Sequence, residues 1–309
     1  MRTLLLNVRI AKLDALNKTN PRINVEYQCS LVSYSAFTIQ VVVGMTKNVV
    51  IIGAGWLGQA LGQKLSTGGL AVQMTTRNHT RATQPGWALF NADNDDLQHN
   101  ISLQKAVWIC CLPAGRTPES QMSYRHYLKT AISLAKKLNM NAFILCSTTG
   151  VYTNNAGLHQ ESDDIFAQSE RQIRLLQSET LVTELGELGK VVRLAGLFGP
   201  QRHPGRFFEH KSPRSNGAET VNMIHQTDAV DAIHFIVQHL DQTPPIVNLV
   251  MPDHPTKAEF YQQAAQALNL PAPKFEIGEA KQRIISSQLL FDLGYRFGFD
   301  SLYAALQQS

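Results

Sequence analysis

Cysteine is scarce in this chain: Cys29, Cys110, Cys111 and Cys146 are the four among 309 residues. None has C-x-x-C spacing and two are adjacent in an apolar run, which points away from a disulfide framework and from a thiolate metal site. They read as small buried residues in a reducing compartment, with a reactive thiol as the alternative, and a cytoplasmic location is expected. Dense Lys/Arg blocks are missing too, and the net charge is only +4, so no nucleic-acid partner is indicated. No apolar run reaches the roughly 20 residues of a membrane span. No His/Cys/Asp spacing fits a metal ion. Hydrophobic residues make up 44% and charged residues 17% of the chain, enough apolar material for a sizeable core.

A more local absence carries more information. No Asp or Glu occurs from Met45 to Ala92, whereas Lys47, Lys64, Arg77 and Arg81 do. This carboxylate-free interval opens with the apolar run Asn48 to Ile52, followed by Gly53, Ala54, Gly55, Trp56, Leu57 and Gly58. A buried strand that turns on glycines into a helix (Leu57, Leu61, Leu65) is the arrangement that binds a dinucleotide pyrophosphate. Gly53 permits the tight turn, Gly55 lets backbone approach the phosphates, and Gly58 lets helix and strand pack closely. Trp56 and Leu57 open the helix, whose free N–H groups attract the anion.

The second strand runs from Leu70 to Thr75. An NAD site places Asp or Glu at its end to hold the ribose 2′-OH; here the chain reads Thr75, Thr76, Arg77, Asn78. A 2′-phosphate needs positive charge, so Arg77 favours NADP, with NAD as the alternative, unless Arg77 is merely a solvated loop residue.

Short apolar runs continue at Trp87 to Ala92, Ala106 to Leu112, Ala142 to Cys146, Val191 to Leu194 and Val247 to Val250. Helical spacing separates them, at Tyr127 to Leu138 and Gln168 to Glu187. The alternation predicts an α/β fold, a Rossmann doubly wound parallel sheet. Asp93 either contacts an adenine edge or caps a turn. Leu112 ends a strand whose following loop, Pro113 to Gly115, passes beside the cofactor. Asp228 is expected to cap a helix through Leu240, and Thr256 to Glu259 form a capping box for a helix to Leu268. Residues 1–44 precede the first Rossmann strand and are expected to be a poorly structured extension, with Met45 as the natural start; an appendage that pairs with another surface is the alternative. Residues 45–200 then form the NADP-binding domain and residues 201–309 a smaller C-terminal α/β substrate lobe.

From about Met45 to Leu306 the chain resembles the extended and atypical short-chain dehydrogenase/reductases, the epimerase/dehydratase superfamily. The glycine turn matches. So do Cys146 to Tyr152, similar to the family's serine-rich strand end followed by Val-Tyr, and Arg193 to Pro200, similar to its Arg-x-x-Gly-x-Tyr-Gly-Pro segment. Met223 to Asp228 resembles its His-Val-Asp-Asp segment. The resemblance implies hydride transfer between a nicotinamide and a carbonyl or carbinol carbon held near Thr148, which stands where the family has its substrate-orienting Ser or Thr.

The family's Tyr-x-x-x-Lys does not occur between Thr153 and Glu187. Alignment places Ala167 at the tyrosine and Arg171 at the lysine. Arg171 can bind a ribose or phosphate but is too basic for proton transfer. Tyr152 is either a substitute acid or a packed aromatic. Thr148 is either a substrate-orienting hydroxyl or a plain strand-end residue. Arg202, His203 and Arg206 follow Gly199 and Pro200, where the family's substrate loop begins. They suit an anionic small molecule, phosphorylated or nucleotide-linked, or else form a solvated loop. Two functions follow: an NADP-dependent oxidoreductase or epimerase, or a non-catalytic NADP(H)-sensing protein. The oligomeric state stays open.

Overall fold

The computed structural model describes residues 25–27, 41–43, 48–92, 96–115, 117–208, 216–280 and 282–309. Strands β1 (Val25–Tyr27) and β2 (Val41–Val43) pair antiparallel within a first unit, Met1–Thr46. The rest of the expectation for residues 1–44 lies outside the described residues.

Lys47–Ser309 form a second unit. Its first half contains β3 (Asn48–Ile52), α1 (Trp56–Thr67), β4 (Ala71–Thr76), β5 (Trp87–Asn91), β6 (Gln98–His99), β7 (Val107–Cys110), α2 (Pro118–Lys137) and β8 (Ala142–Thr148). Then come β9 (Gly157–His159), α3 (Glu170–Thr183), β10 (Gly189–Leu194), β11 (Gly196–Phe198), β12 (Met223–His225), α4 (Gln226–Gln238), β13 (Ile246–Leu249), α5 (Lys257–Ala267), β14 (Arg283–Ile285), α6 (Gln288–Asp292) and α7 (Leu302–Leu306). Among the described residues no helix is long and apolar enough to cross a membrane.

The main sheet has eight strands in the order β13-β10-β8-β7-β3-β4-β5-β6. All neighbours are parallel except β5 and β6. The chain builds outward from β3 through β4 and β5, then returns to the other side of β3 with β7. The strand order therefore reverses between β3 and β7, and a crevice at such a reversal is where open α/β sheets bind ligands.

Both faces of the sheet are covered, which explains the nearly unbroken apolar strands. Val49 and Ile51 face a layer with Leu57, Leu61 and Leu65 of α1 and Ile233 and Ile236 of α4. Val50 and Ile52 face the opposite layer with Leu128, Ala131 and Ile132 of α2 and Val182 of α3. Each large aliphatic side chain buried this way contributes about 1.5–3 kcal/mol. A third cluster joins Phe198, Met223, Phe260, Leu302 and Leu306.

Several boundaries differ from the periodicity reading. Helix α2 starts well before Tyr127, because Thr117 and Ser120 form a reciprocal cap and Pro118 occupies the first helical position. Helix α4 opens two residues before Asp228. Its cap is His225, whose Nδ1 accepts the Thr227 N–H at 3.2 Å. The buried Asp228 carboxylate instead accepts the Gly298 N–H at 2.7 Å. The capping box of Thr256 and Glu259 is present as read.

Candidate functional site

At the strand-order reversal, the chain leaves β3 on Gly53 with φ +82°. The Gly53 N–H donates to the Thr75 hydroxyl at 3.3 Å, and the Gly55 N–H returns to the Gly53 carbonyl at 2.7 Å. A Cβ on Gly53 would lie 2.8 Å from the Leu112 backbone nitrogen, and one on Gly58 would lie 2.6 Å from the Gly53 carbonyl oxygen. One on Gly55 would meet nothing within 4 Å. The protein's own packing therefore demands two of the glycines, while the third borders open space. That space lies at the N-terminus of α1, which has no side-chain cap and no acidic residue in its first turn. An open cradle lined by uncapped N–H groups fits a pyrophosphate. Leu112, two residues past the end of β7 at Cys110, lies against this turn.

Trp56 ties the turn to a distant loop. Its indole N–H donates to the Pro200 carbonyl at 2.8 Å, and its own carbonyl accepts from the Gln226 amide at 2.9 Å. The Arg202 guanidinium lies 4.6 Å from the indole centroid, a cation–π contact worth about 0.5–1 kcal/mol when exposed. His203 does not join Arg202 at the turn. It is buried, its Nδ1 accepts the Gly205 N–H at 3.1 Å, and burial holds its pKa below the usual imidazole value. Its side chain supports the loop from inside. Arg206 is exposed at the end of the same short turn, Pro204–Arg206.

Beyond β4, Arg77 is exposed. Sequence reasoning assigned no role to Arg81, which is more firmly placed. Its guanidinium stacks 3.9 Å above the Trp87 ring and donates to Gln59 Oε1 at 3.4 Å. The Gln59 amide in turn donates to the Ala54 carbonyl at 2.9 Å. One side chain thus links this cation to the glycine turn. The only available signal was its membership of the carboxylate-free interval. Asp93 lies outside the described residues.

At the end of β8, the Thr148 hydroxyl accepts the Gly150 N–H at 3.1 Å, which leaves its own proton free to donate. The point where a Gly150 Cβ would stand lies 3.1 Å from Arg171 Nη1 and 3.4 Å from Thr148 Oγ1. Gly150 therefore lets the guanidinium lie close to the hydroxyl. Ala167 precedes Ser169, the cap of α3, and is off the helix. Arg171, in the first turn of α3, is the residue this helix brings near Gly150.

Tyr152 faces inward. It is 2% exposed; its hydroxyl donates to Asn248 Oδ1 at 2.9 Å and accepts from Arg193 Nη1 at 2.9 Å. Burial pushes its pKa up despite Arg193. Of the two alternatives it is the packed aromatic. Arg193 also grips the buried Glu179 carboxylate, with a closest contact of 2.7 Å, and Ser147 donates to the same carboxylate at 2.5 Å. His225 is buried as well, and desolvation lowers its pKa to about 4.

No protein-family model matches the chain. Protein YeeZ of Escherichia coli (strain K12) is 30% identical over 269 residues, covering 82% of this chain and 96% of YeeZ. Among solved structures, the human epimerase family protein SDR39U1 with NADPH aligns with a TM-score of 0.65 at 20% identity, over 84% of this chain and 98% of that one. UDP-glucuronic acid 4-epimerase from Bacillus cereus in complex with NAD aligns with a TM-score of 0.65 at 15% identity, over 84% of this chain and 94% of that one. With the strand order and glycine turn already established, these likenesses place the chain: it belongs to the family of protein YeeZ and has the Rossmann fold of the extended short-chain dehydrogenase/reductases.

Proposed function

We propose that this protein binds NADP(H) in preference to NAD(H) at the β3–α1 turn and works on an anionic carbonyl or alcohol compound, phosphorylated or nucleotide-linked. The open cradle at Gly55 is the observation that carries the reading. Backbone N–H groups of Trp56, Leu57 and Gly58 receive the pyrophosphate there. Arg77 and Arg81 supply the positive charge a 2′-phosphate requires, and no carboxylate between Met45 and Ala92 opposes it.

The bound nicotinamide supplies hydride donation or acceptance. Thr148 and Arg171 orient the reacting oxygen: the hydroxyl donates a hydrogen bond, and the guanidinium stabilises negative charge as it develops. Neither residue serves as an acid near neutral pH, so the proton exchanges with solvent. Arg202, held over Trp56, receives the anionic end of the substrate.

A second reading, an NADP(H)-sensing protein without turnover, is favoured by the structural role of Tyr152 and by the missing Tyr-x-x-x-Lys. Calorimetric titration with NADP and NAD tests the common core, with tighter NADP binding expected; no heat from either sinks both readings. A carbonyl and alcohol panel followed by reduced-nicotinamide absorbance separates them, since turnover selects the enzyme.

A further inference from the structure

Cys111 and Cys146 touch, with their sulfur atoms 3.7 Å apart. Strand register explains the contact. Cys110 on β7 stands opposite Leu145 on β8, so the next positions on the two parallel chains are neighbours whose side chains share a face. Cys110 points to the other layer, where it packs with Trp108 and Leu145, while Cys111 and Cys146 border the layer of Ile109 and Ile144. Adjacent strands run about 4.8 Å apart, within the roughly 4.4–6.8 Å between Cα atoms that a disulfide spans. Both thiols are half-buried, unlike the sealed Cys110.

We propose that Cys111 and Cys146 are a redox-active dithiol that a hydroperoxide converts to an intramolecular disulfide. One sulfur attacks the peroxide O–O bond and becomes a sulfenic acid, releasing the first oxygen as water or alcohol. The second sulfur then displaces the sulfenic oxygen, which leaves as water. Two electrons pass from the sulfurs to the peroxide, and the two thiol protons end on its two oxygens. Contact with a second thiol favours this outcome over further oxidation of the first. The hydrogen bond with the Cys146 sulfur, and then burial, push the Cys111 pKa up, so sustained peroxide, not a trace, is required. Closing the pair draws in the chain at Cys111, whose N–H is bonded to the Ile52 carbonyl at 2.8 Å. Leu112, the next residue, abuts Gly53. In this respect the inference builds on the cofactor reading: the disulfide lowers dinucleotide affinity.

The full-length chain is treated with hydrogen peroxide, denatured, alkylated and mapped by peptide mass spectrometry. A Cys111–Cys146 cross-linked peptide is expected, lighter by about 2 Da for the two lost hydrogens and reversed by dithiothreitol, with Cys29 and Cys110 fully alkylated. Alkylation of all four cysteines, or sulfinic acid at Cys111 or Cys146 without a cross-link, overturns the dithiol. The map needs no cofactor, so it decides the pair even if NADP fails to bind. Where NADP binds the reduced protein, weaker binding by the oxidised form is expected, and equal affinity refutes the coupling.

Discussion

The Arg193 guanidinium donates to the Tyr152 hydroxyl at 2.9 Å while its opposite edge grips Glu179. The same tyrosine donates to Asn248 on β13, so one buried chain of contacts joins α3, β10, the Tyr152 loop and β13. Its members hold the sheet's C-terminal edge together, with no access to a ligand. Replacing Glu179 with Ala leaves Arg193 buried and unpaired and should cost about 3–5 kcal/mol of stability by urea unfolding. Tyr152→Phe should cost about 1–3 kcal/mol and leave dinucleotide affinity unchanged. A Tyr152→Phe protein of full stability that has lost turnover would restore Tyr152 to the chemistry.

The glycine turn supports a paired prediction. Gly58→Ala sets a Cβ against the Gly53 carbonyl and should destabilise by about 1–3 kcal/mol. Gly55→Ala meets no protein atom, so its melting temperature should match the parent while dinucleotide binding weakens. Thermal unfolding with calorimetry separates the two outcomes. Equal dinucleotide affinity in Gly55→Ala would mean that the cradle is not the binding surface.

Arg81→Ala should weaken NADP binding by roughly ten- to hundredfold, matching the about 1.5–3 kcal/mol of a charge-assisted contact. NAD affinity should change much less. Arg77→Asp should narrow or reverse the preference for NADP. An equal loss for both coenzymes in Arg81→Ala would instead assign Arg81 to the adenine or to loop support.

A pH effect follows from His225. Its pKa is about 4 in the folded protein and about 6.5 in the unfolded chain. Between these values the unfolded chain binds a proton that the native protein refuses. Stability from this residue is thus complete above pH 6.5 and falls as pH drops toward 4, by at most about 3 kcal/mol. Burial raises the carboxyl pKa values of Glu161, Asp228 and Asp253; these groups take up protons more readily when folded and act in the opposite direction. The comparison is therefore with His225→Asn, which keeps a capping acceptor for α4 without titrating. Its urea midpoint should lack the His225 contribution to the slope between pH 6.5 and 4; identical slopes would assign the dependence to other groups.

What the chain determined by itself was local. The turn from Gly53 to Gly58 lies within one strand–helix junction, the apolar runs are continuous because the parallel strands are covered on both faces, and the Thr256–Glu259 box closes over one helical turn. Such features depend on neighbours a few residues away, which adjacency in the sequence reveals. Tertiary structure decided the rest: which of the basic residues are tied to the glycine turn, which aromatic is buried, and which thiols touch. Trp56 meets Pro200 across 144 positions, Tyr152 meets Asn248 across 96, and Cys111 meets Cys146 across 35. Those meetings are set by strand order and register, and no local periodicity encodes which strand will lie beside which.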